Sequence, residues 1–545
     1  MIQRHTELIA LLLVILIIFS GIYVVITQWD VLIEPSTEQK IIDDKISPLM
    51  KQAVYFEIHR IRHKGIIATM FHSGIDFFNI APTKGSELRL YLEGLRPGFG
   101  WNEKPVFSYI ATLDGFKWQA PHEYETWDTD YMNQQISKSV EEEQENVTIE
   151  FTFVEKQKQR FRVISRLVES FTIVYDFRTG FWTGDDYFGD EDGYGHFDGE
   201  VFELWFSVTQ SDYDTDRIPY WTEVNILGTN PRIDDSTSDP DNDDIPIPWE
   251  WRWGYDPFKW DNHTYLDPDS DGLQNVEEYH MEKWLANPFY PEIYIEVDEM
   301  EKAPFKLFEI TVEKGTITPV ERPRIVRSRL DGWDHIFWEE SQQMLIELFN
   351  QHDISMHIDD GCMGGGGDRL PFGFGAQSYR FDSGIVAGFY ANNFADERKG
   401  IFRYLAVLHG GGWCAPQDAK NWFDCMTVPS NFEFFKTQLD YALTPRTMRI
   451  GRAVQVLHEL GHSLGFLKEH CRGVDNSSRR VEDPQYPWLD YVSVMNYDYF
   501  RQRYFDYSSG KKGEFDADDW GLLDLTFFQR PWDNVVGVDF FQRYH

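Results

Sequence analysis

The sequence predicts a multidomain chain: an N-terminal transmembrane helix, a β-sandwich domain, a spacer of acidic loop repeats and an α+β C-terminal domain. Three observations predict it. An uncharged apolar run covers residues 8–26. Strand-like alternation over 50–211 stops where an acidic repeat begins, and that repeat occupies 212–288. From 289 onward strand patterns alternate with amphipathic helix patterns. The 545 residues are too many for one core, and 42% hydrophobic residues with 19 tryptophans indicate folded material. A balance of 51 basic against 90 acidic residues, net −39, excludes a nucleic-acid partner and favours solvated or cation-binding surfaces.

The apolar run lies within residues 1–29, close to the ~20 residues needed to cross a bilayer and longer than a signal-peptide core. No small-residue cleavage site follows it, so an uncleaved signal anchor is expected. The sequons at Asn146, Asn262 and Asn476 and the cation-type loops place the bulk of the chain outside the cytoplasm, held to the cell membrane by a single pass.

Over 50–211, segments 53–61, 88–92, 147–154, 171–175 and 201–206 alternate or run β-branched and aromatic between turn-rich stretches, which predicts the sandwich. It carries no catalytic constellation. The acidic stretch 184–192 reads as an exposed loop.

The spacer repeats every 27 or 28 residues. Asp212, Asp214, Asp216, Ile218 and Glu223 form the first copy. Asp239, Asp241, Asp243, Ile245 and Glu250 form the second. Asp267, Asp269, Asp271, Leu273, Asn275 and Glu278 form the third. Each places carboxylates at positions 1, 3, 5 and 12 of a twelve-residue loop with a backbone carbonyl at 7, a spacing that wraps a hard cation in oxygen. Gly272 stands at the sharp bend of the third loop, where the first has Arg217 and the second Asp244. The loops resemble thrombospondin type 3 and dockerin-like calcium loops. That resemblance implies structural Ca2+ that stiffens the spacer, bound at roughly 10⁻⁴–10⁻³ M.

In the C-terminal domain, 289–545, residues 293–297, 354–358 and 403–408 read as strands and 334–350 as an amphipathic helix. The strand at 403–408 is expected to be a sheet edge lining a cleft. His357 and His409 read as strand residues, and glycines 364–367 as a mobile loop, since no lysine-serine/threonine follows. Ile450, Val454, Leu457, Gly461 and Leu464 recur at helical spacing. On a neighbouring face of that helix lie His458 and His462, four residues apart, where two imidazoles can hold one zinc ion. Glu459 is placed to take a proton from water activated by that metal.

The stretch His458-Glu459-Leu460-Gly461-His462-Ser463-Leu464-Gly465, with Ser493-Val494-Met495-Asn496-Tyr497 downstream, resembles the metzincin zinc peptidases. Their motif runs H-E-x-x-H-x-x-G-x-x-H and precedes a methionine turn. The resemblance implies an α+β metzincin-like catalytic domain, Zn2+ as catalytic cofactor, a protein or peptide substrate, Glu459 and Tyr497 in catalysis and Met495 as a floor. The family's third histidine would fall at Lys468, which cannot ligate zinc. His470 is the expected third ligand, with Cys471 and Asp475 behind it. A calcium-stabilised adhesion protein with an inactive metzincin-like domain is the alternative that Lys468 keeps open. The four cysteines permit Cys414–Cys425 and Cys362–Cys471 disulfides or buried free thiols.

Overall fold

The computed structural model describes residues 45–64, 104–129, 131–141, 143–159, 162–186, 194–301, 310–313, 316–319, 335–371, 383–408, 412–414, 424–430, 445–468, 471–477 and 488–529. Among them no helix is long and apolar enough to cross a membrane. The apolar run 8–26 and the strand expected at 88–92 lie outside the described residues, as do His409 and His470.

Among the described residues the N-terminal unit has ten strands: β1 (Ala53–His63), β2 (Val106–Leu113), β3 (Phe116–Gln119), β4 (Tyr124–Glu125), β5 (Gln134–Ser139), β6 (Asn146–Gln159), β7 (Arg162–Asp176), β8 (Trp182–Gly184), β9 (Gly195–Asp198) and β10 (Phe202–Gln210). They form two antiparallel sheets, ordered β5-β1-β10-β9 and β3-β2-β6-β7-β8, with β4 beside β2. One core joins the sheets. Val54, Phe56 and Ile58 of β1 and Phe202, Leu204 and Phe206 of β10 share it with Tyr109 and Ala111 of β2, Ile149 and Phe151 of β6 and Ile173 of β7. The period-two spacing within most of these strands sends alternate side chains to the shared core, so the pattern legible in the sequence becomes two facing layers.

The spacer's loops share one backbone. Positions 4 and 6 are left-handed in all three: Thr215 and Arg217, Asn242 and Asp244, Ser270 and Gly272. The position-1 aspartate accepts from the position-6 N–H each time, Arg217 to Asp212 at 2.6 Å, Asp244 to Asp239 at 3.0 Å and Gly272 to Asp267 at 3.1 Å. Arg217 and Asp244 therefore adopt the bend that glycine takes most readily, held there by that bond.

In the C-terminal unit, β11 (Glu292–Met300) opens a sheet and is followed by the hairpin β12 (Ile310–Glu313) and β13 (Thr316–Pro319). Next come a helix at Glu339–Asn350, β14 (Ser355–Asp359), β15 (Arg369–Leu370), a helix at Ser383–Asn393 and β16 (Phe402–Leu408). β17 (Trp413–Cys414), β18 (Cys425–Pro429) and the long histidine helix (Pro445–Ser463) complete the frame. The sheet runs β14-β11-β16-β18-β17, parallel except for the antiparallel edge strand β17. The strand at 403–408 is thus interior, flanked by β11 and β18, and the edge falls to β17 instead. All seven residues of β16 are buried, as a parallel strand covered on both faces must be.

Successive residues of β11 and β16 supply two cores. Ile293, Ile295, Val297, Leu405 and Val407 pack under the helices Glu339–Asn350 and Pro445–Ser463. Tyr294, Phe402, Tyr404 and Ala406 face Trp284 of the spacer and the helix Ser383–Asn393. The sheet separates Cys471, in the first core, from Cys362, beside the second, and none of Cys362, Cys425 and Cys471 is in a disulfide. Neither expected disulfide forms. In the glycine loop the N–H groups of Gly361, Met363 and Gly365 all point to the Asp359 carboxylate, which pairs with Arg398. No anion site remains there, because a side chain of the protein already fills it.

His357 joins the units. Its Nε2 lies 2.8 Å from Glu292, and its Nδ1 lies 3.1 Å from the Tyr131 hydroxyl and 3.3 Å from Arg60 of the sandwich. Burial and the neighbouring arginines hold its pKa well below the usual histidine range, so it is a neutral bridging residue.

Candidate metal centre

The histidine helix buries Ala453, Val454, Val456, Leu457 and Leu460 in the first core, and Leu464 just beyond its end joins them. Arg452 ties it to the end of β18 through the Pro429 carbonyl at 3.0 Å, and the Tyr507 hydroxyl donates to the Leu457 carbonyl at 2.7 Å. The helix ends at a left-handed Gly465, φ 92°, where the Phe466 N–H closes back on the Gly461 carbonyl at 2.9 Å. That turn places the Phe466 carbonyl beside His462.

Each imidazole is held by a backbone carbonyl. His458 Nδ1 lies 3.0 Å from the Val494 carbonyl and His462 Nδ1 lies 2.8 Å from the Phe466 carbonyl. A carbonyl can only accept, so both Nδ1 atoms carry the proton and both Nε2 lone pairs are left for a metal. The Nε2 atoms converge on Asp475 Oδ1, at 3.2 Å from His458 and 3.6 Å from His462. All three ligand atoms lie within 4.8 Å of one another. The edge of a tetrahedron built on zinc–ligand bonds of ~2.1 Å is about 3.4 Å, so the spacing suits that ion.

Asp475 reaches the site through two backbone bonds between loops. Its own N–H donates to the Met495 carbonyl at 3.0 Å, and the Tyr497 N–H donates to the Asn476 carbonyl at 2.8 Å. The aspartate is itself left-handed, φ 56°. Burial would raise its pKa, but hydrogen bonds to both histidines hold it far below the usual carboxylate range. Burial lowers the pKa of His462, and the contact with Asp475 overcomes that and pushes it up to about 9. A metal that takes the His462 Nε2 lone pair would compete with a proton there. Lys468, at the family's third-ligand position, is exposed and stands apart from this group.

Met495 is fully buried beneath the helix, and a Cβ added at Gly461 would lie 2.4 Å from its Sδ. The floor expected of Met495 is therefore in contact with the motif glycine itself. Tyr497 lays its ring along that of His458, centroids 5.4 Å apart and planes 22° from parallel, and Phe500 meets the same imidazole edge-on at 4.9 Å. Glu459 is 9% exposed, and a Cβ at Gly412 would come within 2.8 Å of its Oε1. Gly412 immediately precedes β17, the outermost strand of the sheet among the described residues, so the glutamate lies beside that strand.

The spacer loops form a second set of sites. Asp212, Asp214 and Asp216 converge, as do Asp239, Asp241 and Asp243, and Asp216 also gathers with Glu223 and Asp235. Both carboxylate oxygens of Asp214, Asp241, Glu250 and Glu278 are buried without a hydrogen-bond partner. Burial first, then neighbouring carboxylates, pushes Glu223 up to about 9, and burial with the adjacent Asp271 pushes Asp269 up to about 10. Oxygen ligands this crowded and unsatisfied fit a hard divalent cation. Ile218, Ile245 and Leu273 turn their side chains into the interior at the position where each loop offers its carbonyl.

The sequence motif named the two histidines, the glutamate and the methionine turn. Asp475 stood only behind His470, and no spacing rule would have selected it, because loop pairing with Met495 delivers it. Asp235 and His263 of the spacer groups carried no signal, since they lie beyond the twelve-residue loops. No family model matches the chain, and no curated protein matches it in sequence comparison.

Proposed function

We propose that the chain is a membrane-anchored, extracytoplasmic zinc endopeptidase with a metzincin-like C-terminal domain, carried on a spacer stiffened by calcium. The observation that carries this reading is the convergence of His458 Nε2, His462 Nε2 and Asp475 Oδ1 on one point, over Met495 and beside Glu459. His458, His462 and Asp475 would hold the zinc, which supplies Lewis acidity that brings the pKa of water toward ~7. Glu459 accepts the proton of the attacking water and returns it to the leaving amine. The Val494 and Phe466 carbonyls keep both imidazoles in the ligating tautomer. Met495 keeps water from beneath the centre. Tyr497 braces His458 by stacking. Edge strand β17 offers an extended peptide a ladder to join, which would bring its backbone past Glu459.

The adhesion reading drew its support from Lys468, and Asp475 weakens it by supplying a third ligand without any residue at that position. Glu459→Gln separates the two. The full chain should cleave within a broad peptide library, and the variant should keep its zinc and lose cleavage. A zinc-replete wild type that cleaves nothing would refute the peptidase.

A further inference from the structure

Beyond the histidine centre, one group in the spacer differs in chemistry from its sisters. Asp243, Glu250 and His263 each bring one ligand atom within 4.8 Å of the others, and all three are buried, Glu250 and His263 to 0% exposure. His263 Nε2 lies 3.3 Å from Asp243 Oδ2 and 3.6 Å from Glu250 Oε1. Yet it forms a hydrogen bond with neither, and both Glu250 oxygens also lack a partner. Buried polar atoms in native proteins are satisfied with few exceptions. His263 Nε2 and the Glu250 carboxylate are such atoms, Asp243 Oδ2 lies beside them, and both distances from Nε2 are close to the ~3.4 Å edge of a tetrahedral zinc shell.

The imidazole is held for the task. Tyr255 meets it edge-on at 4.8 Å, and Trp249 does so at 6.0 Å. Its Nδ1 lies 2.8 Å from the side-chain amide of Asn275 in the third loop. Asn275 Oδ1 has no partner where it stands. Turning that amide over exchanges its oxygen and nitrogen without moving other atoms. It then accepts from Nδ1–H and leaves the Nε2 lone pair free, the arrangement seen at His458 and His462.

The sister loops show what is particular here. In each, the position-5 aspartate accepts a backbone N–H from beyond the loop: Asp216 from Asp235, Asp243 from Asp261 and Asp271 from Glu292. The first loop closes its group with the carboxylate of Asp235, whereas the second closes with an imidazole. Oxygen-only sites suit calcium, and imidazole shifts preference toward first-row transition cations.

We propose that Asp243, Glu250 and His263 form a structural site for a divalent transition cation of the zinc type, separate from the histidine helix. Asp243 and Glu250, both also expected ligands of the second calcium loop, make it share carboxylates with the loop of Asp239 and Asp241, and Asn275 joins it to the third loop. The site stands on spacer residues alone and does not depend on the peptidase reading.

The test loads the detergent-solubilised full chain with zinc under excess calcium and counts zinc per chain. Wild type should hold two, and His458→Ala and His263→Asp one each. His263→Asp rebuilds the all-oxygen group of the first loop, so it should fold in calcium and lose only the spacer zinc. X-ray absorption of zinc-loaded His458→Ala should show one imidazole in the metal's shell, which requires no change at the spacer. A wild type with a single zinc that His458→Ala removes would overturn the proposal. So would zinc retained in full by His263→Asp, or a shell without imidazole. Zinc at His263 with none at the histidine helix would uphold it while sinking the peptidase.

Discussion

Gly461→Ala offers a test in which the sign of the effect decides. On an unobstructed helix, replacing glycine by alanine stabilises by up to ~1 kcal/mol, because alanine loses less backbone freedom on folding. Here the new Cβ would sit 2.4 Å from Met495 Sδ and 3.1 Å from both Met495 Cε and Phe466 Cδ2. A carbon and a sulfur rest at ~3.6 Å or more, so the thioether must withdraw by about 1 Å in an interior packed like an organic crystal. Met495 has no solvent to move into, being fully buried. Its backbone carbonyl holds the Asp475 N–H, and its neighbour Val494 holds His458, so displacement passes to two of the three proposed zinc ligands. Overpacking of this kind costs about 1–3 kcal/mol. For a domain of this size that lowers the melting temperature by roughly 2–12 °C, where the helix effect alone would raise it. The assay is thermal unfolding of the zinc-loaded chain together with its zinc content. Adding Met495→Ala should recover part of the loss as a coupling energy between the two sites. A Gly461→Ala protein that melts no lower and keeps full zinc would refute the packing argument.

Asp475→Ala should lower zinc affinity by at least ten-fold in equilibrium dialysis, because it removes the carboxylate that both imidazoles contact, whereas Lys468→Ala should leave zinc unchanged. Calcium chelation should lower the melting temperature steeply at pH 8 and little at pH 4.5. Burial raises Glu223 to about 9 and Asp269 to about 10, above their unfolded values, so the ion-free fold retains protons that the unfolded chain has released. Its stability therefore falls as pH rises from ~4 through those folded values, and calcium replaces the missing protons. A chelator effect of equal size at both pH values would count against cation sites in the spacer.

The sequence by itself determined many of the elements. Alternation at 53–61 and 147–154 decided which faces of β1 and β6 enter the sandwich core, since side chains of a strand alternate whatever its partner. The carboxylate spacing placed the loop aspartates together, and the i, i+4 spacing placed two histidines side by side on one helix, because both patterns are closed within a dozen residues. Relations between distant segments were decided only by the tertiary structure. The interior place of β16 follows from the pairing of β11 on one side and β18 on the other, and local strand propensity cannot distinguish an interior strand from an edge. Cys362 and Cys471 are kept apart by a sheet whose six strands are gathered from segments spread between residues 292 and 429. Asp475 reaches zinc-ligand distance because its N–H finds the Met495 carbonyl, and His263 reaches Glu250 because the chain folds back between two loops. A motif records only contacts near in sequence, so ligands delivered by loop-to-loop hydrogen bonds leave no periodic trace in it.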